Sequence, residues 1–380
     1  MATQLNWSIQ VHQGLAGLLG LQRDWERLLA AMPHAGFEHA FETHSAYFKH
    51  LSVAPHSLQV LALSDGQQIR ALCPLETVRE TVLLVPATVW GLAPSHHVGI
   101  FLDWVCPDAQ ACAALMPLLR RHLQRGGGTA WLVHDRVVQG SVIATCLQAL
   151  PAQIYRLQAN DARDMLATTA SAATLATQLS ASHRRRIARA RKYLVDNGSV
   201  RLQQADQPVE LAAAFATFID VEARGWKGAA GARSGLRFRD DQREFYRELV
   251  TVRGAQGRCK IHTLWLDAQC IGGLIAFRTG REWAVLKICY DEAHAKGAPG
   301  NLLIQALLES CCDDPRIDRL NLVSHRVWHS SWQPQCVPAQ RLDLSLHRHG
   351  AALWMRLLDA RRCYGPRLKR WLQFRPRPPA

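Results

Sequence analysis

No run of about 18 apolar residues occurs in the sequence, which excludes a transmembrane helix. The opening MATQLNWSIQ has no basic segment followed by an apolar one, so no secretory leader is expected. CxxC pairs are absent. The eleven cysteines are an odd number, scattered through apolar stretches (Cys73, Cys146, Cys289) or adjacent (Cys311, Cys312). Neither a disulfide framework nor a CxxC-type zinc site fits that distribution, and reduced core thiols in a cytoplasmic setting are expected. His96-His97 has no further ligands at metal-binding spacing, so no metal is expected. Bulk disorder is excluded as well, because 48% of the 380 residues are hydrophobic and only 20% charged. That length suits two domains of about 190 residues better than one.

Acidic residues are the scarce sign of charge, 31 against 45 basic, leaving a net charge of +14. Residues 184–192 (RRRIARARK) hold six basic residues and no acid, and 356–377 hold eight with Asp359 alone opposing them. These two segments carry 13 of the 14 net charges. Two local basic surfaces point to an anionic partner: a phosphorylated cofactor, a membrane surface or nucleic acid.

The pattern of apolar residues predicts a helix through Leu18, Leu21, Trp25, Leu28 and Leu29, ended by Pro33. A hairpin follows, with strands near 58–63 and 68–78 around Asp65-Gly66. A strand near 98–102, a helix from Asp108 to about Gln124, the stop Gly126-Gly127-Gly128 and a strand from Trp131 complete the first half. Further on, the order reads helix (173–196), strand (199–204), helices (208–224 and 240–253), and three strands (259–266, 270–278, 282–290). A helix (299–312) and strands at 318–323 and 340–346 follow, then an amphipathic helix over 350–363. Shifted by 202 residues, Asp65 meets Asp267, Ile69 meets Ile271 and Leu72 meets Leu274, so two similar domains in tandem are expected. A strand meander leading into one strand–helix–strand crossover implies α/β with a mixed sheet.

The junction Asp291-Glu292-Ala293-His294-Ala295-Lys296-Gly297-Ala298-Pro299-Gly300-Asn301 joins a strand to an apolar helix. Free N–H groups and the helix dipole converge at such a junction and favour an anion. Glu222 falls on the apolar stripe of Leu211, Phe215 and Phe218, where burial should raise its pKa and suit it to act as a base. Lys287 alternates with Val285 and Cys289, so it should share their face and need Glu222 or Asp291 as a partner. Asp291 and Tyr290 end the strand, and His325 and His329 are alternative bases after LNLVS. Trp226-Lys227 could line an acceptor cleft.

The segments SHRRRIARARKYL (182–194), EARGWKG (222–228), FYREL (245–249) and LKICYDEAHAKGAPGNLLIQALLE (286–309) occur in an order that resembles the GNAT acyltransferase fold. More closely, they resemble its CelD-like (BioF2-like) branch, associated with cellulose and exopolysaccharide gene products. VWGLAPSHHVGIFLDW (89–104) resembles that family's N-terminal domain more loosely. The resemblance implies an acyl-CoA co-substrate across the strands at 282–290 and 318–323. Ile288, Tyr290, His294, Lys296, Gly297, Ala298, Gly300 and Asn301 would then form the cofactor site, Glu222, Lys287, Asp291 and His325 the catalytic set, and Trp226 and Lys227 the acceptor site. His294 and Gly297 align with the first and fourth places of the superfamily's Arg/Gln-x-x-Gly-x-Gly/Ala turn, but Pro299 stands in the sixth. No tyrosine occurs in 325–338 to protonate a leaving thiolate.

The expected organisation is a degenerate GNAT-like domain (1–165), a GNAT-like acyl-CoA-binding domain (166–349) and a basic amphipathic tail (350–380). The implied activity is acyl transfer, by acetyl-CoA or a related donor, to a sugar or other polar acceptor in exopolysaccharide or cellulose-type envelope synthesis. A FemABX-like aminoacyltransferase and a non-catalytic, membrane-associated scaffold are the alternatives. The tail could touch an anionic membrane surface, and nucleic acid has only charge in its favour.

Overall fold

The computed structural model describes residues 6–346, apart from 83–84, 93–101, 126–130, 169–170, 172, 175–178 and 229–230. His96-His97, the glycines at 126–128 and the tail from 350 onwards lie outside the described residues.

Twelve strands form one mixed sheet, in the order β1-β2-β3-β4-β5-β12-β6-β11-β10-β9-β8-β7. The first half contributes β1 (Ser8–Gln13), β2 (Gln59–Ser64), β3 (Ile69–Val82), β4 (Val85–Leu92), β5 (Trp131–Val138) and β6 (Tyr155–Ala167). From the second half come β7 (Val200–Ala205), β8 (Cys259–Leu266), β9 (Gln269–Thr279), β10 (Glu282–Tyr290), β11 (Arg319–Asn321) and β12 (Gln335–Ser345). All neighbours pair antiparallel except β4–β5 and β10–β11. Each parallel pair is bridged by a helix, α4 (Ala109–Arg125) in the first half and α9 (Pro299–Cys312) in the second. The unit of hairpin, third strand, crossover helix and parallel strand therefore occurs twice, the tandem arrangement expected from the 202-residue offset.

Helices α1 (Gly14–Gly20), α2 (Gln22–Ala30) and α3 (Phe41–His50) share one core with α7 (Pro208–Arg224) and α8 (Asp240–Ala255). Phe37 of the first half stacks on Phe277 of the second, with ring centroids 5.7 Å apart. A second core lies under α4 and α5 (Val142–Leu147), and a third under α6 (Ala181–Asn197) and α9. Helix α7 forms because Leu211, Phe215, Phe218 and Glu222 recur on one face and Pro208 sits in its first turn, where no N–H is needed.

Two features depart from the sequence reading. The boundary expected after residue 165 falls within strand β6, whose middle is the polar stretch QANDARD (158–164). Strand β12 belongs to the second half in sequence but pairs β5 on one side and β6 on the other. The chain's last described strand therefore joins the two halves through main-chain hydrogen bonds.

Candidate acyl-transfer site

Strands β10 and β11 pair only over Glu282–Ala284 and Arg319–Asn321, then separate. Among the described residues, no strand pairs with that edge of β10 beyond Ala284. A bulge between Val285 and Lys287 leaves Leu286 without a partner on β9. Between the separated strands opens a cavity of about 960 Å³, bounded by β10, the start of α9, the chain after β11 and the C-terminal end of α7.

The bulge corrects the expected facing of Lys287 with respect to Val285, while Cys289, whose Sγ lies 3.8 Å from Phe218 O of α7, shares its face as expected. Val285 packs into the core under α9, whereas the bulge turns Lys287 to the opposite face, towards α7. There its Nζ lies 2.9 Å from Glu222 Oε1, with Lys227 Nζ 3.4 Å from the same oxygen. Glu222 Oε2 accepts the Leu236 N–H at 2.7 Å. Glu222 is only 1% exposed. Burial pushes its pKa up, as the sequence suggested, but Lys287, Lys227 and the Leu236 amide outweigh burial and hold the carboxyl below its ordinary range. Glu222 is therefore an ionised, triply anchored carboxylate. Burial in turn lowers the pKa of Lys287, with the Glu222 charge opposing the shift.

At the other wall, Ala298 adopts a left-handed conformation (φ 42°) and Pro299 opens α9. Gly300 follows, with an N–H for which a helix offers no acceptor. A Cβ on Gly300 would stand 3.5 Å from Ile288 Cδ1, so anything larger projects into the cavity. Asn301 Oδ1 accepts the Trp332 indole N–H at 3.1 Å.

Of the expected residues, Glu222, Lys287, Trp226, Lys227, Ile288, Tyr290, Ala298, Gly300 and Asn301 line this cavity together. Asp291, His325, His294, Lys296 and Gly297 do not. Asp291 instead accepts hydrogen bonds from Arg224, Gln269 and the Ala293 N–H, which makes it the cap of the turn over Glu292–Gly297. Gly297 is required by packing: a Cβ there would lie 2.4 Å from Leu194 Cδ2 of α6. Of the two alternative bases, His329 is 3% exposed and lines the cavity, whereas His325 is exposed. Both rings place Nδ1 2.8 Å from Asp164, a fully buried residue of β6. Arg136 and Asp161, paired at 3.1 Å, reach the cavity from the first half, and no local motif marks them.

Residues 181–324 match the family model described as an acetyltransferase (GNAT) domain. Residues 181–324 form a GNAT domain. No curated protein matches the chain. Among solved structures, FemX is similar at TM-score 0.59 and 10% identity, over 85% of this chain and 96% of that one. L-PGS from Bacillus licheniformis is similar at 0.52 and 12%, over 89% and 96%. The C-terminal domain of a nominal lysylphosphatidylglycerol synthetase from Agrobacterium fabrum is similar at 0.53 and 12%, over 89% and 95%. At such identities the likeness concerns the fold, and it extends through both halves. The GNAT domain identifies the activity class as acyl transfer.

Proposed function

We propose that the chain transfers an acyl group from acyl-CoA to an amine or hydroxyl of a polar, sugar-like acceptor. The separation of β10 from β11 carries this reading. The free edge of β10 offers main-chain donors and acceptors to the amides of a pantetheine arm, as a neighbouring strand would. The start of α9 at Gly300 and Asn301 offers an N–H and a helix dipole to the pyrophosphate. No metal is needed for the transfer itself. The acceptor's nucleophile attacks the thioester carbon, the oxyanion is met by a main-chain N–H of β10, and the thiolate leaves. Glu222, ionised at neutral pH, orients the attacking group and accepts its proton, while Lys287 and Lys227 hold the carboxylate in place.

Trp226, 57% exposed at the cavity mouth, suits a sugar face, with Lys227 Nζ 5.6 Å from its ring centroid. Envelope polysaccharide or its precursors are the acceptors that the sequence resemblance favours. Native mass spectrometry with a panel of acyl-CoAs tests the donor: a stoichiometric adduct is expected, and its absence across the panel refutes acyl-CoA as donor.

A second reading is favoured by α6, where Arg184, Arg185, Arg189 and Arg191 are all exposed beside the GNAT domain's α9 turn. That face fits the phosphates of an aminoacyl-tRNA donor as well as those of a coenzyme. Competition of aminoacyl-tRNA against acyl-CoA for the purified chain separates the two readings.

A further inference from the structure

Of the ten cysteines among the described residues, Cys336 is the exposed one. It stands directly opposite Asp164 in the antiparallel pairing of β12 with β6, so both side chains leave the same face of the sheet. Main-chain bonds from Asp164 N to Ser324 O (3.2 Å) and from Leu322 N to Asp164 O (2.9 Å) fix the segment carrying His325 against the same residue. The ligand atoms of Asp164, His325 and Cys336 all lie within 4.8 Å of one another.

Charge adds a second argument. The Asp164 carboxylate is fully buried, and among the described residues no lysine or arginine side chain pairs with it. Its partners are His325 Nδ1 on Oδ1, and His329 Nδ1 and the Arg326 N–H on Oδ2. Among the described residues, this buried carboxylate is held by two imidazoles and an amide and has no lysine or arginine side chain as counter-charge.

We propose that Asp164, His325 and Cys336 bind one Zn²⁺, with water in the fourth position. Zinc bonds of about 2.0–2.3 Å place tetrahedral donors roughly 3.3–3.6 Å apart. His325 and Cys336 reach that spacing by small side-chain rotations, for which their exposure leaves room. Binding displaces the thiol proton of Cys336 to solvent, and His325 carries its remaining proton on Nε2 so that Nδ1 faces the metal. His329, on the second carboxylate oxygen, becomes an outer partner of the ion and links it to the acyl-transfer cavity. Asp164 lies 161 residues before His325, and no CxxC-type spacing links it to His325 and Cys336.

The test uses the full-length chain, stripped with a chelator and titrated with Zn²⁺ against a chromophoric competitor, then with Co²⁺. One equivalent of Zn²⁺ and a thiolate-to-cobalt charge-transfer band are expected. Cys336→Ser should abolish the band and weaken Zn²⁺ binding by at least about tenfold, and His325→Gln should weaken it similarly. Cys312→Ser should leave both unchanged. Both ligand substitutions lie at exposed side chains, and unchanged far-UV circular dichroism verifies their folding. Equal Zn²⁺ affinity in Cys336→Ser and the native chain, or no stoichiometric binding in the native chain, overturns the proposal. Neither readout depends on acyl transfer.

Discussion

Replacing Glu222 with Gln keeps the side chain's shape and removes its charge, which isolates the electrostatics at the centre of the site. Lys287 is only 8% exposed and would lose its nearest counter-charge, 2.9 Å away. Breaking a buried pair on one side costs about 3–5 kcal/mol. Lys287 has an escape, because burial already lowers its pKa and it can fold neutral. Deprotonating a lysine of ordinary pKa about 10.4 at pH 7 costs about 3.4 units at 1.36 kcal/mol each, or about 4.6 kcal/mol, which caps the penalty. In the variant the unfolded chain binds the proton that the folded chain rejects, so stability rises with pH. By pH 9 the cap falls to about 1.9 kcal/mol. Denaturant unfolding at pH 7 and pH 9 measures the difference between variant and native chain. Adding Lys287→Met should recover most of the loss at pH 7. A loss under about 1 kcal/mol at pH 7, or one that does not shrink towards pH 9, would refute the desolvated pair. The native pair shows a dependence of the same sign in acid. The Glu222 pKa is lowered on folding, so its contribution is present above the ordinary carboxylate range and is lost as pH falls through the lowered value.

Gly300→Glu places charge and bulk where the pyrophosphate would lie, and calorimetry should show acyl-CoA affinity reduced by about tenfold or more, about 1.4 kcal/mol; unchanged affinity in the folded variant counts against that donor site. Gly297→Ala forces a Cβ to within 2.4 Å of Leu194, and overpacking should cost about 1–3 kcal/mol in unfolding experiments, with acyl-CoA affinity less affected than by Gly300→Glu. Glu222→Gln should lower turnover by about 10²–10⁴-fold if the carboxylate takes the acceptor's proton, and full turnover would remove it from that role. Liposome co-sedimentation of the chain and of a version ended after His349 should show salt-sensitive loss of binding on truncation, and equal recovery would remove the tail from any membrane role.

Much of the GNAT domain was legible because its signals are local. Apolar recurrence marked α7 and α9, the hairpin residues marked β8 and β9, and a glycine-containing junction marked the strand-to-helix turn beside the cavity. Glu222 was found by the same periodicity, since a carboxylate on an apolar stripe must be buried with a partner. The direction of its pKa shift was not legible. It depends on Lys287 facing α7, and that facing depends on a bulge between Val285 and Lys287 that no residue pattern announced. Asp291 was misread for a related reason: a carboxylate beside a site and a carboxylate capping a turn look alike until the acceptor geometry is known.

Strand β6 was lost for a different reason, and the loss bears on function. Asn160, Asp161, Arg163 and Asp164 fit a solvated linker by composition, and a central strand is expected to be apolar. In the folded chain these side chains are polar because each has a distant partner. Arg163 pairs with Glu38, Asn160 donates to Asp135 O, Asp161 pairs with Arg136 at the cavity, and Asp164 holds the two histidines. None of these partners is local to the strand, so local propensity and the native structure conflict along it. Natural sequences resolve such conflicts in favour of propensity except where a site demands otherwise. In the sheet, β6 lies between β12 and β11. It therefore carries the first half's contacts to the open edge of the GNAT domain's parallel pair. The polar residues that hid the strand from sequence patterns are the ones that couple the two halves at the cavity.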